Sequence, residues 1–327
     1  MKIPRLSSLV LVFTTLTYAL PAAAADAVKD YPNKPIRFIV PFGPGGGTDT
    51  TTRIIAKKLS EMWRKQAIVE NRTGAAGAIG VELTAAAVPD GYTVCLISAS
   101  HSVDSATNSK LSYDLTKDLQ GITQATALFY VMTVNPSVPA KSVSELIEYS
   151  NANPGKLNFG SSGTGGLEHL AGEMFGYMAG LKLAHIPYKG GAASVAAAAS
   201  GETQIGFTTM TSVRPHMAAG RVRAMAITAG KRSPAMPELP TVSEAGVPGY
   251  EVNQWYGYVT SAKVSLPIVA KLSEGIAVAL KDPGVAQRLG ADGSTPVGTT
   301  PDQFSAHIKS EIAKWHKLVN DAGLRLH

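Results

Sequence analysis

The chain has 327 residues, of which 45% are apolar and 17% charged, with 32 glycines, 20 prolines and a single cysteine, Cys95. That content is enough for a sizeable core and excludes wholesale disorder, and the length suits one large or two ordinary domains. One cysteine excludes an internal disulfide framework and any Cys-cluster metal site. The net charge of +6 is spread without a basic block, which argues against a nucleic-acid partner and suits anionic ligands.

Lys2 and Arg5 precede an apolar stretch from Leu9 to Leu20, followed by Pro21 and four alanines ending at Ala25. This is the order of a secretory signal peptide, and the apolar part is too short for a span of about 20 residues. Residues 1–25 are therefore expected to be a leader cleaved near Ala25, with an uncleaved anchor as the alternative. Cleavage would remove Lys2 and Arg5 and leave 302 residues with a formal charge of +4. No cysteine follows the apolar stretch, which disfavours a lipoprotein anchor, and no later segment offers 18 uninterrupted apolar residues. The mature protein is expected to be exported, soluble and periplasmic.

The mature chain alternates strand and helix patterns. Residues 35–40 (PIRFIV) form a β-rich apolar run. A glycine turn leads to a helix over 48–64, with Ile54, Ile55, Leu59 and Trp63 at helical spacing. Residues 67–70 read as a strand, 80–87 as a helix ended by Pro89-Asp90-Gly91, and 92–98 (YTVCLIS) as a buried strand. This β-α-β-α-β order is that of a parallel sheet covered by helices. The theme repeats: strand 128–134, a helix over 142–151 capped by Ser142, strand 156–159, a second glycine turn, helix 167–178, strand 184–187, helix 191–199, and strands 204–207 and 223–227. Residues 231–250 are rich in Pro and Gly and predict an irregular excursion. From Val259 the pattern is mostly helical, in segments opened by Pro267, Pro283 and Pro301. The fold class is α/β, in two lobes: 26–125 with 251–327, and 126–250. Crossings near Gln124–Thr126 and near Tyr250–Tyr258 would make a hinge.

The two glycine turns carry the functional signal. In each, glycines let the backbone approach a ligand, and the following helix N-terminus offers free N–H groups and partial positive charge. The first, PFGPGGGTD (41–49), lacks the ending of a P-loop. In the second, GSSGTGG (160–166), Glu168 stands where a dinucleotide fingerprint needs its third glycine. Taken alone, either turn is also explained as a tight strand-to-helix connection. If the lobes face each other, both helix ends aim into one cleft, and a dicarboxylate would be held at each end without a charged side chain.

The ordered motifs YPNKPI (31–36), VPFGPGG (40–46), VENRTGAAG (69–77), PDGYT (89–93), GSSGTG (160–165), HLAGE (169–173), HIPYKG (185–190) and WYG (255–257) resemble the tripartite tricarboxylate transporter substrate-binding proteins, the Bug family. They span nearly the whole mature chain. The resemblance implies a two-lobed periplasmic-binding-protein fold of type II kind. It implies a receptor that closes on a small organic acid and delivers it to one large and one small integral-membrane subunit. It points to Phe42, Gly43, Gly46, Thr48 and Asp49 in the first lobe, and to Ser161, Ser162, Thr164 and Gly165 in the second. Ser98 and Ser100 join them by the strand-end rule for α/β sheets. One departure concerns Thr208, where many relatives carry an acidic residue at the strand end. Threonine cannot pair a ligand amino group, so an amino acid ligand is disfavoured against a plain mono-, di- or tricarboxylate.

Other residues have blander readings. His169 and Glu173 have metal-ligand spacing, but no third ligand is evident. His185 would need a nucleophile and an orienting acid to act as a base, and the Gly-x-Ser-x-Gly elbow is absent. Glu70, Asn71 and Arg72 read as a strand-end network that fixes the next loop. Trp255 and Tyr256 either line the cleft or belong to the core, and Cys95 reads as inert packing. The expectation is a monomeric receptor, not an enzyme, without cofactor or metal. The rivals are a secreted hydrolase using Ser161 or Ser162 with His169 or His185, and a carboxylate sensor that reports to a signalling protein.

Overall fold

The computed structural model describes residues 30–291, 293–321 and 323–324. The expected leader, residues 1–25, lies outside them.

Strand β1 (Ile36–Val40) has Ile36, Phe38, Ile39 and Val40 buried, as a parallel strand between helical layers requires. Helix α1 (Gly47–Trp63) follows and turns Ile54, Ile55 and Leu59 into the core; burying each contributes about 1.5–3 kcal/mol. Then come β2 (Ala67–Asn71), α2 (Ala78–Ala85), β3 (Thr93–Ser98), α3 (Ala99–Thr107) and β4 (Leu119–Phe129). The second lobe holds β5 (Val131–Val134), α4 (Val143–Ala152), β6 (Asn158–Ser161), α5 (Leu167–Ala179), β7 (Ala184–Pro187), α6 (Gly191–Ser200), β8 (Ile205–Thr208), α7 (Met210–Ala218) and β9 (Arg223–Ile227). The chain returns with β10 (Asn253–Ser261) and ends in α8 (Leu266–Lys281), α9 (Pro283–Ala291), β11 (Thr295–Pro296) and α10 (Pro301–Asp321).

These strands make two sheets, in the orders β11-β4-β10-β3-β1-β2 and β7-β6-β8-β5-β9. In the first, β1 is parallel to both β2 and β3, and β10 is antiparallel to β3 and β4. In the second, β6 is parallel to β7 and β8, and β5 is antiparallel to β8 and β9. The α/β, two-lobed expectation is therefore met. Ser142 caps α4 as expected, accepting the Glu145 N–H at 3.1 Å.

Four elements differ from the sequence pattern. Strand β4 runs through Gln124–Thr126, so the passage between sheets falls at Tyr130. Residues 253–261, expected as a crossing and the start of the helical tail, are strand β10 in the middle of the first sheet. Helices α3 and α7 were not signalled: α3 is a polar segment (ASHSVDSAT), and α7 contains Pro215.

The two passages between sheets are tied together. Thr228, just after β9, donates its N–H to the Tyr130 carbonyl at 2.9 Å, and its hydroxyl accepts the Tyr130 N–H at 2.9 Å. The same hydroxyl donates to the Val252 carbonyl at 2.8 Å, and the Val252 N–H returns to the Thr228 carbonyl at 2.9 Å. Trp255 belongs to the core: it meets Phe304 edge-on, and Glu311 Oε2 accepts the indole N–H of both Trp255 and Trp315 at 3.1 Å.

Candidate functional site

The first glycine turn is held by its neighbours. Asn71, at the end of β2, donates to the Phe42 carbonyl and to Asp49 Oδ1, both at 3.0 Å. Asp49 Oδ2 accepts the Gly45 N–H and Arg53 Nε, each at 3.0 Å. Burial alone would raise the Asp49 carboxyl, but the hydrogen bonds from Arg53, Gly45 and Asn71 bring it below its ordinary value. Glu70 is engaged by Arg37 at 2.7 and 3.0 Å and by Arg72 at 3.0 Å, and the Arg37 hydrogen bond foremost holds its carboxyl down to about 2. Residues 70–72 thus form the expected strand-end network. Asp49 is part of it and is not among the residues that line the cavity.

The second glycine turn is built in the same way. The buried Ser161 hydroxyl donates to the Gly163 carbonyl at 3.0 Å and accepts the Gly163 N–H at 3.1 Å. Its oxygen also lies 2.6 Å from His185 Nε2. A hydroxyl has one proton, so Ser161 divides it between the Gly163 carbonyl and His185 Nε2 according to the imidazole tautomer. Burial foremost lowers the His185 pKa to about 4. His169 stacks on His185 at 3.7 Å between centroids and accepts the Gly165 N–H on Nδ1 at 3.1 Å. The Ser161 hydroxyl is fully buried and does not line the cavity. Ser161 and Gly165 build the loop, Thr164 is exposed, and none of the three is among the residues that line the cavity.

The cavity itself lies between the two sheets and opens to solvent at its mouth. Eight expected residues line it: Phe42, Gly43, Gly46, Thr48, Ser98 and Ser100 from the first lobe, and Ser162 and Thr208 from the second. The sequence reading missed Gly47, Tyr130, Glu168, Gly191, Thr209, Ser212 and Gln254, and left Tyr256 between cleft and core. Gln254 is locked by accepting the Ala99 N–H at 3.0 Å and the Trp255 N–H at 2.9 Å, while its amide donates to the Tyr130 hydroxyl.

Glu168 sits in the first turn of α5 with 4% exposure. The Thr208 hydroxyl donates to its Oε1 at 3.0 Å, and its Oε2 is buried without a hydrogen-bond partner. Burial raises its carboxyl to about 7, outweighing the influence of Thr208 and Ser162. Gly191 is required beside this pair, because a Cβ there would lie 2.7 Å from Thr208 Oγ1 and 3.0 Å from Glu168 Oε1. An acidic group from α5 thus stands beside Thr208. One signal for it stood in the sequence: Glu168 is the residue that breaks the dinucleotide fingerprint.

The lobes touch across the cavity. The Leu167 N–H, at the start of α5, donates to Ser100 Oγ of α3 at 3.0 Å. A Cβ at Gly43 would lie 2.9 Å from the Lys189 carbonyl oxygen, and one at Gly163 would lie 3.2 Å from Ala76 Cα. Glycine at these positions allows two backbones to meet at the cavity rim.

This architecture matches known proteins along nearly its full length. BugT of Bordetella pertussis is 32% identical over 328 residues, covering all of both chains. The solved periplasmic binding protein BugD superposes with a TM-score of 0.86 at 30% identity, over 90% of this chain and 99% of that one. An R. palustris protein solved with adipate gives 0.86 at 31% identity, over 90% and 99%. MatC from Rhodopseudomonas palustris, solved with malate, gives 0.82 at 27% identity, over 88% and 100%. The profile described as "Tripartite tricarboxylate transporter family receptor" matches residues 51–324. The chain belongs to that family of solute-binding receptors.

Proposed function

We propose that this chain is an exported periplasmic receptor that closes on one small organic carboxylate between its lobes. It then presents the closed form to a large and a small membrane subunit of a tripartite tricarboxylate-type transporter. The observation that carries this reading is the cavity at the α1 N-terminus, lined by Gly46, Gly47, Thr48, Ser98 and Ser100 and bridged to the second lobe by Ser100. Free N–H groups and hydroxyls there suit an ionised carboxylate without a lysine or arginine. Each hydrogen bond to a carboxylate contributes about 1.5–3 kcal/mol, so a few support micromolar binding after ordering costs. The adipate and malate complexes of the relatives support the ligand class.

In this reading the lobes meet at Tyr130 and residues 251–252, and the Thr228 hydrogen bonds hold these two passages together as a hinge. Ligand shifts the population toward the closed form, whose surface the membrane subunits read. The working unit is a monomer with its leader removed near Ala25. Calorimetric titration of the chain from Asp26 onward against organic acids tests the proposal. Saturable one-to-one binding with the acid recovered unchanged is expected. Absence of binding to any carboxylate, or turnover of one, would overturn it.

A further inference from the structure

The two helix ends that face the cavity are not equivalent. At α1 the lining groups are backbone and hydroxyls, open to an incoming anion. At α5 the first turn already carries an anion of its own, Glu168, whose Oε1 is engaged by Thr208. Its Oε2 is buried and unpartnered, and Glu168 is among the residues that line the cavity. No lysine or arginine lines the cavity among the described residues, and Glu168 is the one ionisable carboxyl in the lining. The phenols Tyr130 and Tyr256 and the hydroxyls of Ser162, Thr209 and Ser212 complete that region without a positive charge.

A buried carboxylate oxygen without a partner is costly, and a native protein keeps one where something else completes it. A second carboxylate from a dicarboxylate ligand would meet this oxygen with like charge in a water-poor space. A cationic donor would meet it as a charge-assisted hydrogen bond. Resting on the receptor reading above, we propose that Glu168 is the specificity residue for an amino carboxylate. The ligand's carboxylate lies at the α1 N-terminus and its ammonium donates to Glu168 Oε2. Burial raises the pKa of this carboxyl in the empty receptor, and an arriving ammonium favours its ionised form. This reverses the ligand preference expected from Thr208. The hydroxyl of Thr208 orients the carboxylate that takes over the pairing.

The test is calorimetric titration of the mature wild-type chain and the Glu168→Gln variant with matched probes. These are aspartate against succinate, glutamate against glutarate, and 4-aminobutyrate against butyrate, with malate as the hydroxyl counterpart of aspartate. The expected result is that one amino probe binds wild type at least tenfold tighter than its deaminated twin, and that Glu168→Gln abolishes the preference. The wild-type comparison stands by itself if the variant does not fold. Succinate, glutarate, butyrate or malate binding as tightly as its amino counterpart would overturn the inference and leave the receptor intact. No binding by any amino probe would overturn the inference, while the receptor reading falls only if no organic carboxylate binds.

Discussion

If Glu168 carries an uncompensated buried charge in the empty receptor, removing that charge should stabilise the protein in a pH-dependent way. Glu168→Gln keeps the volume and keeps an oxygen to accept from Thr208, which donates to Oε1 at 3.0 Å. The carboxyl is raised by burial from 4.5 to about 7 in the folded chain. A raised carboxyl gives stability that is fully present below its unfolded value and is lost as pH rises through its folded value. A rise from 4.5 to about 7, at about 1.36 kcal/mol for each tenfold change in proton affinity, sets the loss at about 3 kcal/mol above pH 8. Glutamine does not titrate and escapes it. The unliganded variant should therefore match wild type at pH 4.5 and exceed it by about 3 kcal/mol at pH 8.5. Urea denaturation of both proteins at pH 4.5, 6, 7 and 8.5 measures the gap. Comparing the two curves cancels the depressed histidines, His101 and His185, which titrate in both proteins. A gap that does not change with pH, or a variant less stable at pH 8.5, would refute the reasoning and remove the physical ground for a cationic ligand group.

Three further outcomes are expected. Asp49→Ala should cost about 2–3 kcal/mol at pH 7, because it strands the Asn71 amide and the Gly45 N–H. Asp49→Asn should cost nearly as much, since its own amide donors face donors. Urea midpoints check both, and the gap to wild type should close as acid protonates the depressed Asp49 carboxyl. Ser100→Ala should leave the melting temperature of the unliganded protein within a degree or so. It should weaken the tightest-binding probe about 5–30-fold, as losing one bond of about 1–2 kcal/mol from the closed form alone requires; calorimetry with that probe decides. Gly172→Ala should destabilise by about 1–3 kcal/mol despite the better helix residue, because its Cβ would lie 2.1 Å from a Phe159 ring carbon. Chemical denaturation would contradict this if the variant gained stability.

The sequence by itself determined the two α/β units, because periodicity and glycine punctuation are local. Residues 184–187 and 223–227 fall on their strands, Ser142 on its cap, and Ile54, Ile55 and Leu59 on the buried face of α1. It also determined both glycine turns at strand ends, and with them five of the cavity residues; Ser98, Ser100 and Thr208 followed from other strand ends. It did not reveal β10, whose place in the first sheet depends on partners more than a hundred residues away in β3 and β4. Nor did it separate the groups that build a loop from those that face the cleft. Asp49 and Ser161 look like ligand groups in a string of residues, yet Asn71 and His185, brought in from other elements, turn them inward. Only the tertiary structure decided that Glu168 faces the cavity. That position follows from Thr208 and Gly191 arriving from the end of β8 and the start of α6, and local pattern carries no record of either.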